Sequence, residues 1–147
     1  MIDYTYFSDK DLIVTIFHGP VAVEELNELI DKLIAIEHHN GAMRGLTILC
    51  ENVKMDAIKY HNIFSAGKRM SRATFRKNGK NAIVAHTALG YGISRIYQVA
   101  TEITSLDETR VYKGDEGLQE AISWLDAKAM LDEIQGLIAR CTDELPE

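Results

Sequence analysis

Residues 81–125, NAIVAHTALGYGISRIYQVATEITSLDETRVYKGDEGLQEAISWL, decide the fold of this chain. They open on a short apolar run around Ile83 and Val84 with polar residues on either side, which is typical of a strand buried on both faces. A helical segment follows, then the β-branched and aromatic residues 110–112, then a helix that closes near Trp124. This alternation predicts a parallel sheet whose strands are joined by right-handed crossovers.

The residues before this stretch extend the pattern toward the N-terminus. Strands at 2–7 and 12–18 are separated by only four turn-forming residues, so we expect them to be antiparallel. Further strands are predicted at 46–50, 82–86 and 109–113. Helices are predicted from Val23 to a stop at Asn40 and Gly41, and at 57–76, 88–103, 118–125 and 127–141. The predicted fold class is α/β, with a five-stranded mixed sheet, an antiparallel N-terminal strand and about five helices, and with Trp124 largely buried.

The length of 147 residues is enough for one domain. We expect residues 1–126 to form the α/β domain, and 127–147 to supply an amphipathic helix and an acidic tail. No apolar run reaches the roughly 18 residues of a membrane span, and the acidic N-terminus lacks the basic region of a secretory signal. Cys50 and Cys141 lie outside any metal-binding spacing and are interpreted as reduced thiols. A cytoplasmic protein is therefore expected.

Charge is segregated along the chain, although the net charge is only −6. Residues 54–80 carry 8 of the 16 basic side chains and one acidic one, whereas residues 1–53 carry 9 acidic and 3 basic ones. The predicted second helix places four basic residues on one side: Lys68, Arg69, Arg72 and Arg76. A solvated face or contact with anionic lipid would account for them, but an acidic protein surface, such as a second copy of the chain, accounts for both halves of the pattern. A pI near 5.4 argues against nucleic acid.

Three segments carry a resemblance to a known family. They are the strand at 82–85, the Gly-Tyr-Gly-Ile-Ser-Arg-Ile-Tyr segment at 90–97, and residues 110–112 followed by Ala-Ile-Ser-Trp-Leu at 121–125. In this order of motifs the chain resembles the SpoIIAA-like proteins, the STAS/SEC14-type small α/β domains. The resemblance implies a βα sandwich that either switches between protein partners or holds an apolar ligand. Residues 50–57 offer no hydroxyl for the phosphorylation that the partner-switching branch uses.

Candidate ligand-binding residues follow from the strand ends, because open α/β sheets bind ligands at the carboxyl ends of their strands. They are Asn52, His86, Thr87, Tyr91 and Arg95. Thr87 is also placed to cap the following helix, and Arg95 occupies the third glycine position of a dinucleotide-binding turn, which argues against that motif. No histidine has a metal-binding neighbour at helical spacing and no catalytic triad order is visible, so neither a metal, a cofactor nor catalysis is expected.

The terminal amphipathic helix leaves two alternatives open. Its apolar stripe either packs on its own domain or forms a two-fold interface, and the interface is favoured because cyclic dimers are common. The stripe consists of Met130, Leu131, Ile134, Leu137 and Ile138. The leading hypothesis is a non-enzymatic, homodimeric binding or regulatory module acting through protein–protein interaction. The alternative is a carrier of a small apolar or lipid-like ligand, and an enzyme comes third.

Overall fold

A computed structural model describes residues 1–36, 43–71, 79–102 and 108–143. Within these ranges the chain forms five strands and five α-helices. The strands are β1 (Ile2–Phe7), β2 (Leu12–Phe17), β3 (Arg44–Leu49), β4 (Lys80–Ala85) and β5 (Glu108–Lys113). The helices are α1 (Val23–Ile34), α2 (Tyr60–Ser71), α3 (Ala88–Glu102), α4 (Gly114–Trp124) and α5 (Leu131–Asp143). The predicted helix stop at Asn40 and Gly41, the basic residues Arg72 and Arg76, and the end of the acidic tail lie outside the described residues.

The strands form one mixed sheet in the order β1-β2-β3-β4-β5. β1 pairs antiparallel with β2, and every later pair is parallel. The predicted fold class is therefore confirmed, including the single antiparallel strand. The predicted strand positions are correct to within two residues.

The order of the strands decides which helices cover which face. Each parallel strand lies beside the preceding one, so right-handed crossovers place α1, α2 and α3 on the same face. There, Leu29, Ile63 and Ile93 join a core with Ile13 and Ile83 of the sheet. The opposite face is left to the two helices that follow the last strand.

The terminal helix α5 completes the core on that opposite face. Met130 and Ile134 are 6% and 0% exposed, and Leu131, Leu137 and Ile138 pack against the same apolar cluster. A sheet of five strands is roughly 19 Å wide, whereas a helix covers about 10 Å. Since α4 contacts β4 and β5, a second helix is needed over β2, and α5 lies there. The stripe therefore packs on its own domain, which is the less favoured of the two predicted alternatives, and a dimer interface through these residues stays a prediction.

Four helix boundaries differ from the predictions by several residues. α1 ends at Ile34, short of the predicted stop at Asn40 and Gly41, and α5 begins at Leu131 instead of residue 127, after a short 3-10 turn at Lys128–Met130.

α2 begins at Tyr60 instead of residue 57, because Lys54 pairs with the segment after β2 and the side chains of Met55 and Ile58 are buried in the core. α4 begins at Gly114 instead of residue 118. The positive φ of Gly114 (64°) turns the chain directly from β5 into the helix.

Trp124 is only partly buried, which corrects the expectation of a largely buried side chain. Its indole lies at the edge of the sheet, 6.5 Å from the ring of Tyr112. The Nζ atom of Lys80 lies 5.1 Å and the Cζ atom of Arg110 4.6 Å from the ring centroid. The ring thus joins the apolar core to two cations that remain in contact with water.

The helices α2 and α3 approach each other closely at Gly67. A Cβ atom at this position would lie 2.7 Å from the Cβ atom of Ala100, closer than two carbons can pack. Glycine is therefore required for the observed packing of these two helices. No helix in the described part of the chain is long and apolar enough to cross a membrane.

We expect Ile134→Ala to lower the free energy of unfolding by about 2–5 kcal/mol, since it removes a fully buried side chain. Gln135→Ala, at an exposed neighbouring position, is the control and should change it by less than about 0.5 kcal/mol. Urea denaturation followed by circular dichroism measures both. Equal, small effects for the two variants would contradict the placement of α5 in the core.

A candidate ligand-binding cavity

The sheet face beneath α1, α2 and α3 carries small and polar side chains at its centre. Thr15 lies beside Thr47 in the ladder, and Gly45 lies beside Asn81. These residues replace the large apolar side chains that usually fill such a face. Because Gly45 has no side chain, a gap remains between the sheet and the helices at this position.

The result is a cavity of about 80 Å³ between the sheet and the three helices. Its floor is formed by the threonines, Gly45 and Asn81, and its walls are mainly apolar. The walls include Leu29 of α1, Ile63 and Met70 of α2, and Ile93 and Tyr97 of α3. All three crossover helices therefore contribute to one cavity.

Asn81 is the chemically distinctive residue of this cavity. Its side chain is 3% exposed, and its Oδ1 atom has no hydrogen-bond partner among the described residues. Ser94, another polar wall residue, instead donates its hydroxyl to the carbonyl of Gly90 at 2.7 Å. Leaving a buried carbonyl unpaired costs about 1–3 kcal/mol. Asn81 can accept a hydrogen bond from a molecule that enters the cavity.

The strand-end residues predicted from the sequence make separate local contacts. Asn52 accepts a hydrogen bond from the amide of Gly19 at 3.4 Å, whereas Arg95 donates to Gln98 on the surface of α3 at 2.6 Å. Thr87 caps α3 as expected, accepting a hydrogen bond from the amide of Gly90 at 2.9 Å. None of these residues lines the cavity.

The two remaining strand-end residues, His86 and Tyr91, lie near the start of α4. The Nδ1 atom of His86 is 3.2 Å from the carbonyl oxygen of Leu49, and its Nε2 atom is 3.4 Å from Asp115. The ring of Tyr91 lies 4.2 Å from the Nζ atom of Lys113. These contacts hold the loop after β4 against its neighbours, and His86 and Tyr91 also lie outside the cavity wall.

The described part of the predicted basic surface lies beside an open groove on α2. Lys68 and Arg69 border this groove together with Tyr60, Phe64 and Ile96. Arg69 forms an ion pair with Asp31 of α1, and the Nζ atom of Lys68 lies 5.9 Å from the Phe64 ring. Part of the positive charge is thus engaged within the chain.

The fold and the cavity define an α/β protein with a mostly apolar cavity beneath its three crossover helices. Comparison of the chain with protein-family models, with curated proteins and with solved structures finds no match. The resemblance to SpoIIAA-like domains therefore stays a prediction that rests on the motifs quoted above.

Sequence reasoning missed the residues of the cavity floor. The available signal was the presence of Thr15, Thr47 and Asn81 in strands that are otherwise apolar. Each is unremarkable alone, because buried threonines are common. These three residues form a cavity floor only because the strand register places them side by side on one face of the sheet. In a hairpin the turn fixes the register, but parallel strands have no such turn from which the register can be deduced.

We expect Asn81→Leu to raise the free energy of unfolding by about 1–3 kcal/mol, because it removes the unpaired carbonyl and fills part of the cavity. Ser94→Ala is the matched control from the same wall. It should bring no such gain, because the hydrogen bond to Gly90 is lost. The urea denaturation midpoints of the two variants, compared with that of the unchanged chain, test this prediction. A loss of stability in Asn81→Leu would contradict the conclusion that the Asn81 carbonyl is unpaired and faces a cavity.

Proposed function

We propose that this protein is a non-enzymatic binding module that holds a small, mostly apolar ligand in the cavity between the sheet and α1–α3. The observation that carries this proposal is the buried Oδ1 atom of Asn81, which has no partner among the described residues and lies in a cavity with mostly apolar walls. Sites of this kind combine apolar walls with a few polar groups that orient the ligand. The apolar walls provide most of the binding free energy, and Asn81 fixes the polar end of the ligand.

The volume of the cavity limits the size of the ligand that it can hold. An engineered apolar cavity of about 150 Å³ takes benzene or xenon. The 80 Å³ present here suits a smaller molecule, or the end of a chain whose remainder passes between the helices. A short aliphatic alcohol has the required chemistry, since its tail is apolar and its hydroxyl donates a hydrogen bond to Asn81.

The composition of the wall supports binding rather than turnover. Among the described residues that line the cavity, none is acidic, basic, histidine or cysteine. The reactive groups in the described lining are the hydroxyls of Thr15, Thr47, Ser94 and Tyr97. A serine or threonine hydroxyl becomes a nucleophile when a base lies beside it, and the described lining offers these hydroxyls no carboxylate, histidine or lysine.

A protein partner is the weaker of the two binding hypotheses. Arg69 is engaged by Asp31, and the apolar stripe of α5 packs within the chain, with Met130 and Ile134 buried and the other members partly buried. Both features were the basis for expecting an acidic partner or a second copy. Homodimer formation stays a prediction with less to support it.

Native mass spectrometry of the freshly purified full chain tests the proposal. We expect a retained small molecule, or the uptake of one 1-propanol or one xenon atom per chain. Amide chemical shifts around Asn81, Ile63 and Ile93 should move on addition of the alcohol. The Asn81→Leu variant should lose binding, because the leucine side chain occupies the space.

A surface substitution provides the control for that experiment. Gln135→Ala, on the opposite face, should bind xenon and the alcohol as the unchanged chain does. If the unchanged protein neither retains a molecule nor takes up the two probes, or if Asn81→Leu binds them equally, the cavity is not a ligand site.

A further inference from the structure

Three side chains with metal-binding atoms meet at one end of the sheet, on the face covered by α5. Asp3 belongs to β1, His18 follows β2 directly, and Cys141 lies near the end of α5. The Nε2 atom of His18 is 2.5 Å from Oδ2 of Asp3, and Sγ of Cys141 is 3.5 Å from the same oxygen. All three atoms lie within 4.8 Å of one another.

The burial of these groups points to a site rather than to a surface cluster. His18 and Cys141 are 1% and 7% exposed, whereas the side chain of Asp3 is 63% exposed. The Nδ1 atom of His18 is buried and has no hydrogen-bond partner among the described residues. The imidazole is therefore a nearly inaccessible polar group, and within the described part of the chain its one hydrogen-bond partner is the carboxylate of Asp3, which faces Nε2.

We infer that Asp3, His18 and Cys141 form a binding site for a single Zn²⁺-like transition-metal ion. Zinc takes imidazole nitrogen at about 2.0–2.1 Å, carboxylate oxygen at about 2.0–2.2 Å and thiolate sulfur at about 2.3 Å. Tetrahedral coordination places such an oxygen and sulfur roughly 3.6 Å apart, close to the separation of Asp3 and Cys141. The nitrogen of His18 and the oxygen of Asp3 must move apart by somewhat less than 1 Å.

The donor set also selects the kind of ion. Thiolate and imidazole favour zinc and related transition metals over Mg²⁺ and Ca²⁺, which prefer oxygen. Cys141 binds as the thiolate, and its proton leaves to solvent. Because the exposed carboxylate of Asp3 is the only described member of the trio that faces water, the fourth position of the tetrahedron opens on that side.

The site would join parts of the chain that are far apart in sequence. Asp3 and Cys141 are separated by 138 residues, so an ion between them ties α5 to the first two strands. A ligand that binds only the folded chain raises its stability. This inference is independent of the cavity and of the proposed function, since none of the three residues lines the cavity.

The test uses the full chain, purified in the presence of a chelator that is then removed. Zn²⁺ is titrated against a chromophoric indicator, and Co²⁺ replaces it to report sulfur ligation through a thiolate-to-cobalt charge-transfer band. We expect one ion per chain, the charge-transfer band with cobalt, and a higher melting temperature with zinc. Cys141→Ser and Asp3→Asn should each weaken binding by at least the 10–100-fold that loss of a mere supporting group costs.

Cys50→Ser is the matched control, because Cys50 lies on the same face of the sheet but outside the trio. Burial raises the pKa of the Cys50 thiol to about 11, so this thiol stays protonated near neutral pH. The control variant should keep the zinc affinity and the cobalt band. Circular dichroism establishes that each variant is folded, and Asp3→Asn changes an exposed side chain that the core does not need.

Three outcomes would overturn the inference. The first is the absence of stoichiometric zinc binding to the unchanged chain. The second is equal zinc affinity in the unchanged, Cys141→Ser and Asp3→Asn proteins, which would place the ion elsewhere. The third is zinc binding without a thiolate band in the cobalt form. Any of these would leave the trio as a hydrogen-bonded contact between α5 and the sheet.

Discussion

The handedness of the strand connections is the constraint on which the rest of this structure depends. Four parallel strands that follow one another in spatial order must send every crossover helix to the same side of the sheet. Three helices therefore cover one face, and the other face has only the helices that come after β5. The C-terminal helix α5 is consequently an essential part of the core, although in the sequence it looks like an appendage to a finished domain. Both sites discussed above follow from this division, one beneath the three crossover helices and one where α5 meets β1 and β2.

Each of these two sites includes a residue with a buried polar atom that has no partner among the described residues. Oδ1 of Asn81 and Nδ1 of His18 are each enclosed without a partner among the described residues. Proteins avoid such groups because each costs about 1–3 kcal/mol, and departures from the rule concentrate where a ligand or an ion is bound. The third atom of this kind, Nδ2 of Asn52, belongs to an amide whose oxygen accepts a hydrogen bond from Gly19. His18 is likewise held through its other ring nitrogen, which faces Asp3.

The fold was predictable from the sequence to a large extent, whereas the sites were not. Short apolar strands alternating with helices define the mixed sheet, and the four-residue turn at 8–11 defines its antiparallel edge. The start of α2 was predicted three residues too early, because nothing in the sequence shows that Ile58 fills the core from the loop before Tyr60. The sites depend on proximity between distant residues. Thr47 and Asn81 come together through parallel register, and His18 reaches Cys141 only because α5 folds back across the sheet. Spacing along the chain carries neither kind of information.

The close packing at Gly67 means that the helices over the cavity are joined in different ways. α2 and α3 meet with no side chain between Gly67 and the methyl group of Ala100. α1 meets α2 partly through the exposed ion pair of Asp31 with Arg69. An exposed pair of this kind contributes no more than about 1 kcal/mol and is weakened by salt. High salt should therefore weaken the contact between α1 and α2 and leave the packing of α2 against α3 unchanged.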